Sequence, residues 1–246
     1  TLTNGGVASY VSGSGSNTLL FRYDVQASDA SIESLAVASV SANGARIVDQ
    51  AGNALDTSAL LSTQIGGDID ASYRVNIDTA APVITSVVRV EDAGENTDVV
   101  NDGYYKAGTT VAFEVTFDEV VSVSTPANGE VPSLALSNGA LAHYVSGTNM
   151  ETLRFEYVVA SGDEATDLSV LALFENDGGI ADASGNAAKV SIGSGNGLPG
   201  STSILIDGVV PTITTMRSDD GLYLPGDEIA IEVQFSEAVH VDESEG

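Results

Sequence analysis

Apolar and polar residues alternate along much of this chain. In residues 110–118 (TVAFEVTFD), Val111, Phe113, Val115 and Phe117 share one face, and Ile229, Ile231, Val233 and Phe235 repeat the pattern further on. Leu153, Phe155 and Tyr157 form another such row, matched by Leu19, Phe21 and Tyr23. A period of two marks strands with one buried and one wet face. Asn4-Gly5, Asn138-Gly139, Asp102-Gly103 and Asp220-Gly221 punctuate the rows as turns. No segment sustains a 3.6-residue period with capping signals. The pattern predicts an all-β chain, with two packed antiparallel sheets and Greek-key connections.

The rows recur because the chain repeats itself. Residues 2–23 align without a gap onto residues 136–157, with 12 of 22 positions identical. Residues 77–85 (IDTAAPVIT) pair with 206–214 (IDGVVPTIT), and the segment from Asp102 to Val123 pairs with that from Asp220 to Val241. The offsets are 134, 129 and 118 residues, a unit too long for a solenoid repeat and about right for one domain. Residues 1–78 read as the C-terminal part of one unit, 79–207 as a complete unit, and 208–246 as the N-terminal third of another. In the complete unit, strands are expected near 83–90, 109–118, 132–137, 140–145, 152–159, 168–174 and 202–207. Seven short strands favour an immunoglobulin-like β-sandwich over a closed barrel. The stretches 91–101 and 193–201 read as surface loops.

Composition narrows the function. Thirty-five acidic residues face eight basic ones, for a net charge of −27. Such a surface repels nucleic acid and anionic membranes and attracts divalent cations. The absence of cysteine excludes disulfides, thiolate metal sites and a cysteine nucleophile. No run of 18 apolar residues offers a membrane span. The sequence opens on Thr1, with neither an initiator Met nor a signal peptide, and reads as an internal fragment of an array.

Three acidic motifs recur between units. They are the junction Asp78-Thr79-Ala80-Ala81-Pro82 with Asp207-Gly208-Val209-Val210-Pro211, the loop Asp49-Gln50-Ala51-Gly52-Asn53 with Asp182-Ala183-Ser184-Gly185-Asn186, and Asp118-Glu119 with Ser236-Glu237. The prolines predict short, stiff junctions. If the first strand of a unit leaves the junction, the second returns to it, and the loop before the last strand sits there too. That alternation gathers Asp78, Glu119, Asp182 and Asn186 at one interdomain junction, with Asp207, Glu237 and Asp49 as the repeat counterparts. Carboxylates, amide oxygens and backbone carbonyls suit a hard cation such as Ca²⁺. The competing reading is local: Asp and Asn beside Gly are common turn residues that hydrogen-bond their own backbone, and the Asp102-Gly103 and Asp220-Gly221 pairs are read as plain turns.

Other chemistry finds no support. Gly13-Ser14-Gly15 lacks the last glycine of a dinucleotide fingerprint and joins two strands. No EF-hand loop occurs, and Gly66-Gly67-Asp68-Ile69-Asp70 matches a calcium-binding nonapeptide faintly and once. His143 aligns with Ser9 and His240 with Ser122, so neither histidine is kept between units. No base accompanies any serine. The chain is expected not to be an enzyme.

The ordered segments DTAAPVI, YKAGTTVAFEVTFDEVV, LALSNGALAHYVSG, TLRFEYVV, IADASGNAA and ILIDGVVP resemble the Ig-like or cadherin-like extender repeats of giant type I-secreted (RTX-type) bacterial surface adhesins. The resemblance spans essentially the whole chain. It implies a biofilm-type adhesion stalk, extracellular on the bacterial cell surface, with calcium stiffening its junctions. It carries calcium-ligand roles onto Asp78, Glu119, Asp182 and Asp207. Gly208-Val209-Val210 departs from the usual junction and weakens the carry-over there. A carbohydrate-binding module that takes extracellular polysaccharide is the alternative from another class, although the chain has no Trp and only 14 Phe and Tyr, most of them on inward rows. A filament or surface-layer subunit is compatible with the same fold. Expected partners are neighbouring copies of the repeat, head to tail: residues 208–246 supply the first strands of a sandwich, residues 1–78 supply the rest, and the two are expected to combine between successive copies, covalently within one continuous array or non-covalently between separate chains.

Overall fold

A computed structural model of the chain describes residues 1–56, 75–90, 104–127, 129–193 and 204–241. The Asp102-Gly103 pair, the 91–101 loop, Gly66–Asp70 and all of 193–201 except its first residue lie outside the described residues. All named elements are strands: β1 Ser9–Ser12, β2 Leu20–Arg22, β3 Ile84–Val90, β4 Tyr104–Lys106, β5 Thr110–Ser124, β6 Ser133–Leu136, β7 Leu141–Ser146, β8 Met150–Val158, β9 Glu164–Ala165, β10 Val170–Phe174, β11 Gly179–Ala181, β12 Leu205–Asp207, β13 Ile213–Ser218 and β14 Ile231–Phe235. The chain is all-β and of the sandwich class.

The complete unit is built on β5, whose alternation runs for 15 residues. One sheet has the order β10-β6-β7-β8-β5-β11, with β3 also paired to β5, and every pairing in it is antiparallel. The second sheet has the order β4-β12-β9. Its β4–β12 pair is parallel, with Tyr104 opposite Leu205 and Lys106 opposite Asp207. The sequence pattern predicts only antiparallel pairing; a parallel contact between strands about a hundred residues apart leaves no local turn signal. Phe113, Val115, Phe117, Leu134, Leu153 and Phe155 from the large sheet share one core with Tyr105 and Ile206 from the small one and with Ile204, just before β12. Each fully buried side chain of this size contributes roughly 1.5–3 kcal/mol, which is why the inward row tolerates so few polar residues.

The seven expected strands are all present, and β4, β9 and β11 add three that are two or three residues long. At Asn138-Gly139 and Asn4-Gly5 the expected turns form, with Gly139 and Gly5 both at φ 86°. Asp220-Gly221 does not form one. The chain turns instead at Pro225-Gly226, with Gly226 at φ 105°, where the aligned residues of the complete unit are Ala107-Gly108.

The flanking segments copy the complete unit locally but bury far less. Tyr10 and Phe21 pack edge to face at 5.9 Å and 69°, as Tyr144 and Phe155 do at 5.9 Å and 70°. Residues 1–56 and 75–78 enclose a small core of Leu2, Leu35 and Ile77, tied by bridges between Leu2 and Val37 and between Ile32 and Ile77. β13 and β14 pair antiparallel in the register of β3 and β5, with Ile213 opposite Phe235 and Met216 opposite Val233, as Ile84 faces Phe117 and Val87 faces Val115. No residue of 209–241 is buried.

Candidate metal centre

Three separate stretches deliver carboxylates to the junction before the complete unit. Asp78 follows the buried Ile77, where the first segment ends. Its Oδ1 accepts the Ala80 amide at 3.1 Å and the Ser31 hydroxyl at 3.3 Å, which fixes the bend into Pro82. Glu119 comes from an irregularity in β5. Against β8 the register jumps from Thr116 opposite Thr152 to Val121 opposite Met150. The extra residues let β5 leave β3 and β8 and continue against β11, and bulges of this kind re-aim side chains. The adjoining Asp118 clamps the bend: its Oδ1 accepts the Val83 amide at 2.8 Å, and its own amide donates to the Val83 carbonyl at 3.1 Å. Asp182 lies immediately after β11, at the start of the Asp-x-x-Gly-Asn loop.

A carboxylate oxygen from each of Asp78, Glu119 and Asp182 lies within 4.8 Å of the other two. Asp78 is exposed, Glu119 half-buried and Asp182 buried at 5% exposure. Glu119 is held above the ordinary carboxylate range, first by lost hydration and then by the charges of Asp182, Asp78 and Asp118. Asp182 also loses hydration, which works upward, but hydrogen bonds from the Asn186 side chain and from the Asn186, Ser184 and Gly185 amides outweigh that and lower it. An ionised Asp182 therefore sits against a reluctant Glu119. Three clustered carboxylates of this kind could hold a metal ion, whose charge would reverse the repulsion on Glu119.

The loop explains part of the cluster without a ligand. Asp182 Oδ1 accepts the Ser184 and Asn186 amides, each at 2.8 Å, and Oδ2 accepts the Asn186 side-chain amide at 2.8 Å. Asp49 binds Ala51 and Asn53 in the same way, at 2.9, 2.8 and 2.8 Å. The turn reading of this motif is thus correct for both copies, and Asp182 serves the loop as well as the cluster. Asn186 joins the junction through its amide nitrogen, which donates to the Asp78 carbonyl at 3.2 Å.

The remaining expected residues are placed apart. Asp207 ends β12 and accepts the Val209 amide at 3.2 Å. Glu237, two residues past β14, is half-buried, and its Oε1 is buried without a hydrogen-bond partner. Among the described residues, neither these two nor Asp49 belongs to a group of three metal-ligating side chains. Sequence reasoning missed Ser184, whose hydroxyl donates to Asp78 Oδ2 at 3.1 Å, and Ser31. Ser184 aligns with Ala51, so repetition does not single it out. It also missed Thr79, whose hydroxyl donates to the Asp29 carbonyl at 2.6 Å and ties the junction to the first segment. At the second junction Gly208 takes that place, with its amide donating to the Asp163 carbonyl at 2.7 Å. A Cβ there would lie 2.3 Å from the Ala160 carbonyl oxygen, so the departure from threonine has a steric reason.

No protein-family model, no curated protein and no solved structure matches this chain. Function rests on the geometry of the junction itself.

Proposed function

We propose that this chain is an extender segment of a large extracellular bacterial adhesin, and that Ca²⁺ bound by Asp78, Glu119 and Asp182 rigidifies the junction between consecutive units. The observation that carries the reading is the meeting of three carboxylates at a junction, drawn from a linker, a strand irregularity and a loop far apart in sequence. Oxygen-only ligands favour Ca²⁺ over softer metals, and Ca²⁺ accepts the irregular geometry that Mg²⁺ rejects. The tandem repeat and the −27 charge fit a spacer that works in a calcium-containing medium. The role is mechanical: the cation joins the linker carboxylate to the β5 irregularity and to one loop of the following sandwich.

The test is thermal unfolding of the chain with Ca²⁺, with Mg²⁺ and with chelator. A site with a dissociation constant of about 10⁻⁴ M, in about 10 mM Ca²⁺, stabilises by roughly 2.7 kcal/mol. That corresponds to a rise of roughly 5–10 °C for a unit of this size. Glu119→Gln makes the test specific. Because Glu119 is held above its ordinary value, the folded protein retains its proton longer than the unfolded chain does; its contribution is whole below the ordinary value and is lost as pH rises through the raised one. At neutral pH its charge therefore opposes folding, and Glu119→Gln should raise the melting temperature in chelator while reducing the gain from Ca²⁺. Superimposable wild-type curves in Ca²⁺ and chelator would refute the calcium reading.

A further inference from the structure

The strand directions of the complete unit decide how it takes tension. Ile84 lies opposite Phe117 and Val90 opposite Ala112, so β3 starts at the end of the unit that holds Asp118 and the carboxylate cluster, and runs away from it. β4 runs the same way. It ends at Lys106, close to the start of β5, where the Gly108 amide donates to the Val159 carbonyl at 2.8 Å and Thr110 lies opposite Val158. β12 is parallel to β4 and delivers Asp207 to that far end. A pull applied through Asp78 and Gly208 therefore draws β3 backward and β12 forward, each along its own axis. Ladder hydrogen bonds run across the strands, so this pull loads them side by side rather than one after another.

Both points where the load enters are held from two sides. The Pro82 carbonyl accepts the Lys189 amide at 2.7 Å, and the Val83 amide donates to Asp118 Oδ1 at 2.8 Å; β3 then pairs with β5 along its seven residues. β12 is three residues long but lies between β4 and β9. Just past it the Gly208 amide donates to the Asp163 carbonyl at 2.7 Å, and the Gly208 carbonyl accepts the Gly162 amide at 2.9 Å. For β12 to slide, Ile204 and Ile206, 1% and 4% exposed, must also leave the core. We propose that β12, sheared between β4 and β9 and bolted by Gly208, is the clamp that sets the tensile strength of the unit, the shorter of the two loaded strands yielding first. The inference rests on the reading of the chain as an extender segment, which is what puts it under tension. It also gives Gly208 a role: a Cβ there would lie 2.3 Å from the Ala160 carbonyl oxygen, so only glycine lets the bolt close.

The chain has no cysteine, so handles can be attached at chosen pairs of positions, and Ala80, Ala107 and Val209 are all exposed. Full chains carrying A80C and V209C are pulled along the strands. In full chains carrying A107C and V209C, both handles sit at the far end, where β4 and β12 finish side by side, and the pair is peeled open. In single-molecule force spectroscopy at one loading rate, in chelator, the first chain should unfold at a force at least roughly twofold above the second. Three residue pairs of the β4–β12 ladder share the load in one direction and open in turn in the other. Adding Gly208→Ala to the A80C/V209C chain should lower its force toward that of the peeled chain. Equal forces in the two directions would overturn the clamp, as would a Gly208→Ala chain that unfolds at the force of its parent. Should Gly208→Ala fail to fold, the comparison of directions is made without it and still decides. Both handles of each chain lie beyond Asp78, so neither pull crosses the carboxylate cluster. Equal forces therefore count against the clamp alone, and melting curves that ignore Ca²⁺ count against the calcium reading alone.

Discussion

At the scale of single residues, the fold relies on a buried tyrosine that anchors a corner. The Tyr157 hydroxyl accepts from Asn138 Nδ2 at 3.0 Å and donates to Asp163 Oδ2 at 2.6 Å, and the same Oδ2 accepts the Ala160 amide at 2.8 Å. Tyr23, Asn4 and Asp29 repeat the arrangement in the first segment. Burial, followed by the hydrogen bond to Asp163, pushes Tyr157 up to about 12. Tyr157→Phe leaves Asn138 and Asp163, both half-buried, each short of a bond and should cost about 1 kcal/mol; Tyr23→Phe, in a more open corner, should cost less. The pH dependence has a definite sign. An unfolded chain gives up its tyrosine proton near 10, so between 10 and about 12 the folded protein binds more protons than the unfolded one. Stability from Tyr157 is thus whole below pH 10 and is lost as pH rises through about 12. Denaturant titrations across that window should show a steeper decline for the parent than for Tyr157→Phe. Parallel declines would mean that the corner does not depend on this proton.

At the scale of elements, alternation made β3, β5, β6, β7, β8 and β10 readable, because each buries one face in a single core. The failures have local causes. The pattern ends β5 near 118 because Asp118 and Glu119 interrupt the apolar row, yet Val121 is 0% exposed and the strand runs to Ser124. Glu119 holds a position with the parity of core residues, and it is the one that the junction uses. β4, β9 and β11 are too short to show a period. The gathering of Asp78, Glu119 and Asp182 was legible because strand directions alternate and the motifs repeat, whereas the supporting hydroxyls of Ser31 and Ser184 leave no repeated signal. Glycines at element ends give a graded test. Gly147, between β7 and β8, has φ 108°, and a Cβ there would lie 2.2 Å from the Thr152 carbonyl oxygen. Gly185, in the Asp182 loop, has φ 91° with nothing within 4 Å. Both alanine variants carry the backbone cost of a left-handed residue, about 1–2 kcal/mol, but only Gly147→Ala also forces backbone apart. Urea midpoints should therefore fall clearly further for Gly147→Ala than for Gly185→Ala; equal shifts would mean that the close approach relaxes without cost.

At the scale of the whole molecule, two kinds of repulsion need separating. The diffuse charge of −27 is spread over the surface, and salt screens it because the Debye length at physiological ionic strength is about 8 Å. The Asp78, Glu119 and Asp182 oxygens lie within 4.8 Å of one another, inside that length, so ordinary salt leaves their repulsion largely in place. With all three ionised, an ion seated among them would remove it. Asp78 belongs to the link that Ser31 and Thr79 tie to the first segment, while Glu119 and Asp182 belong to the complete unit. A cation binding all three should therefore restrict the angle between the two. Small-angle scattering at a concentration low enough to suppress association should give a larger maximum dimension in Ca²⁺ than in chelator, at both low and high NaCl. Glu119→Ala is the cleaner variant for this test, because Asp182 also supports its own loop, and it should lose the difference while the sandwich stays folded. If high NaCl in chelator reproduces the Ca²⁺ profile, diffuse charge sets the length of the molecule and the junction site has no part in it.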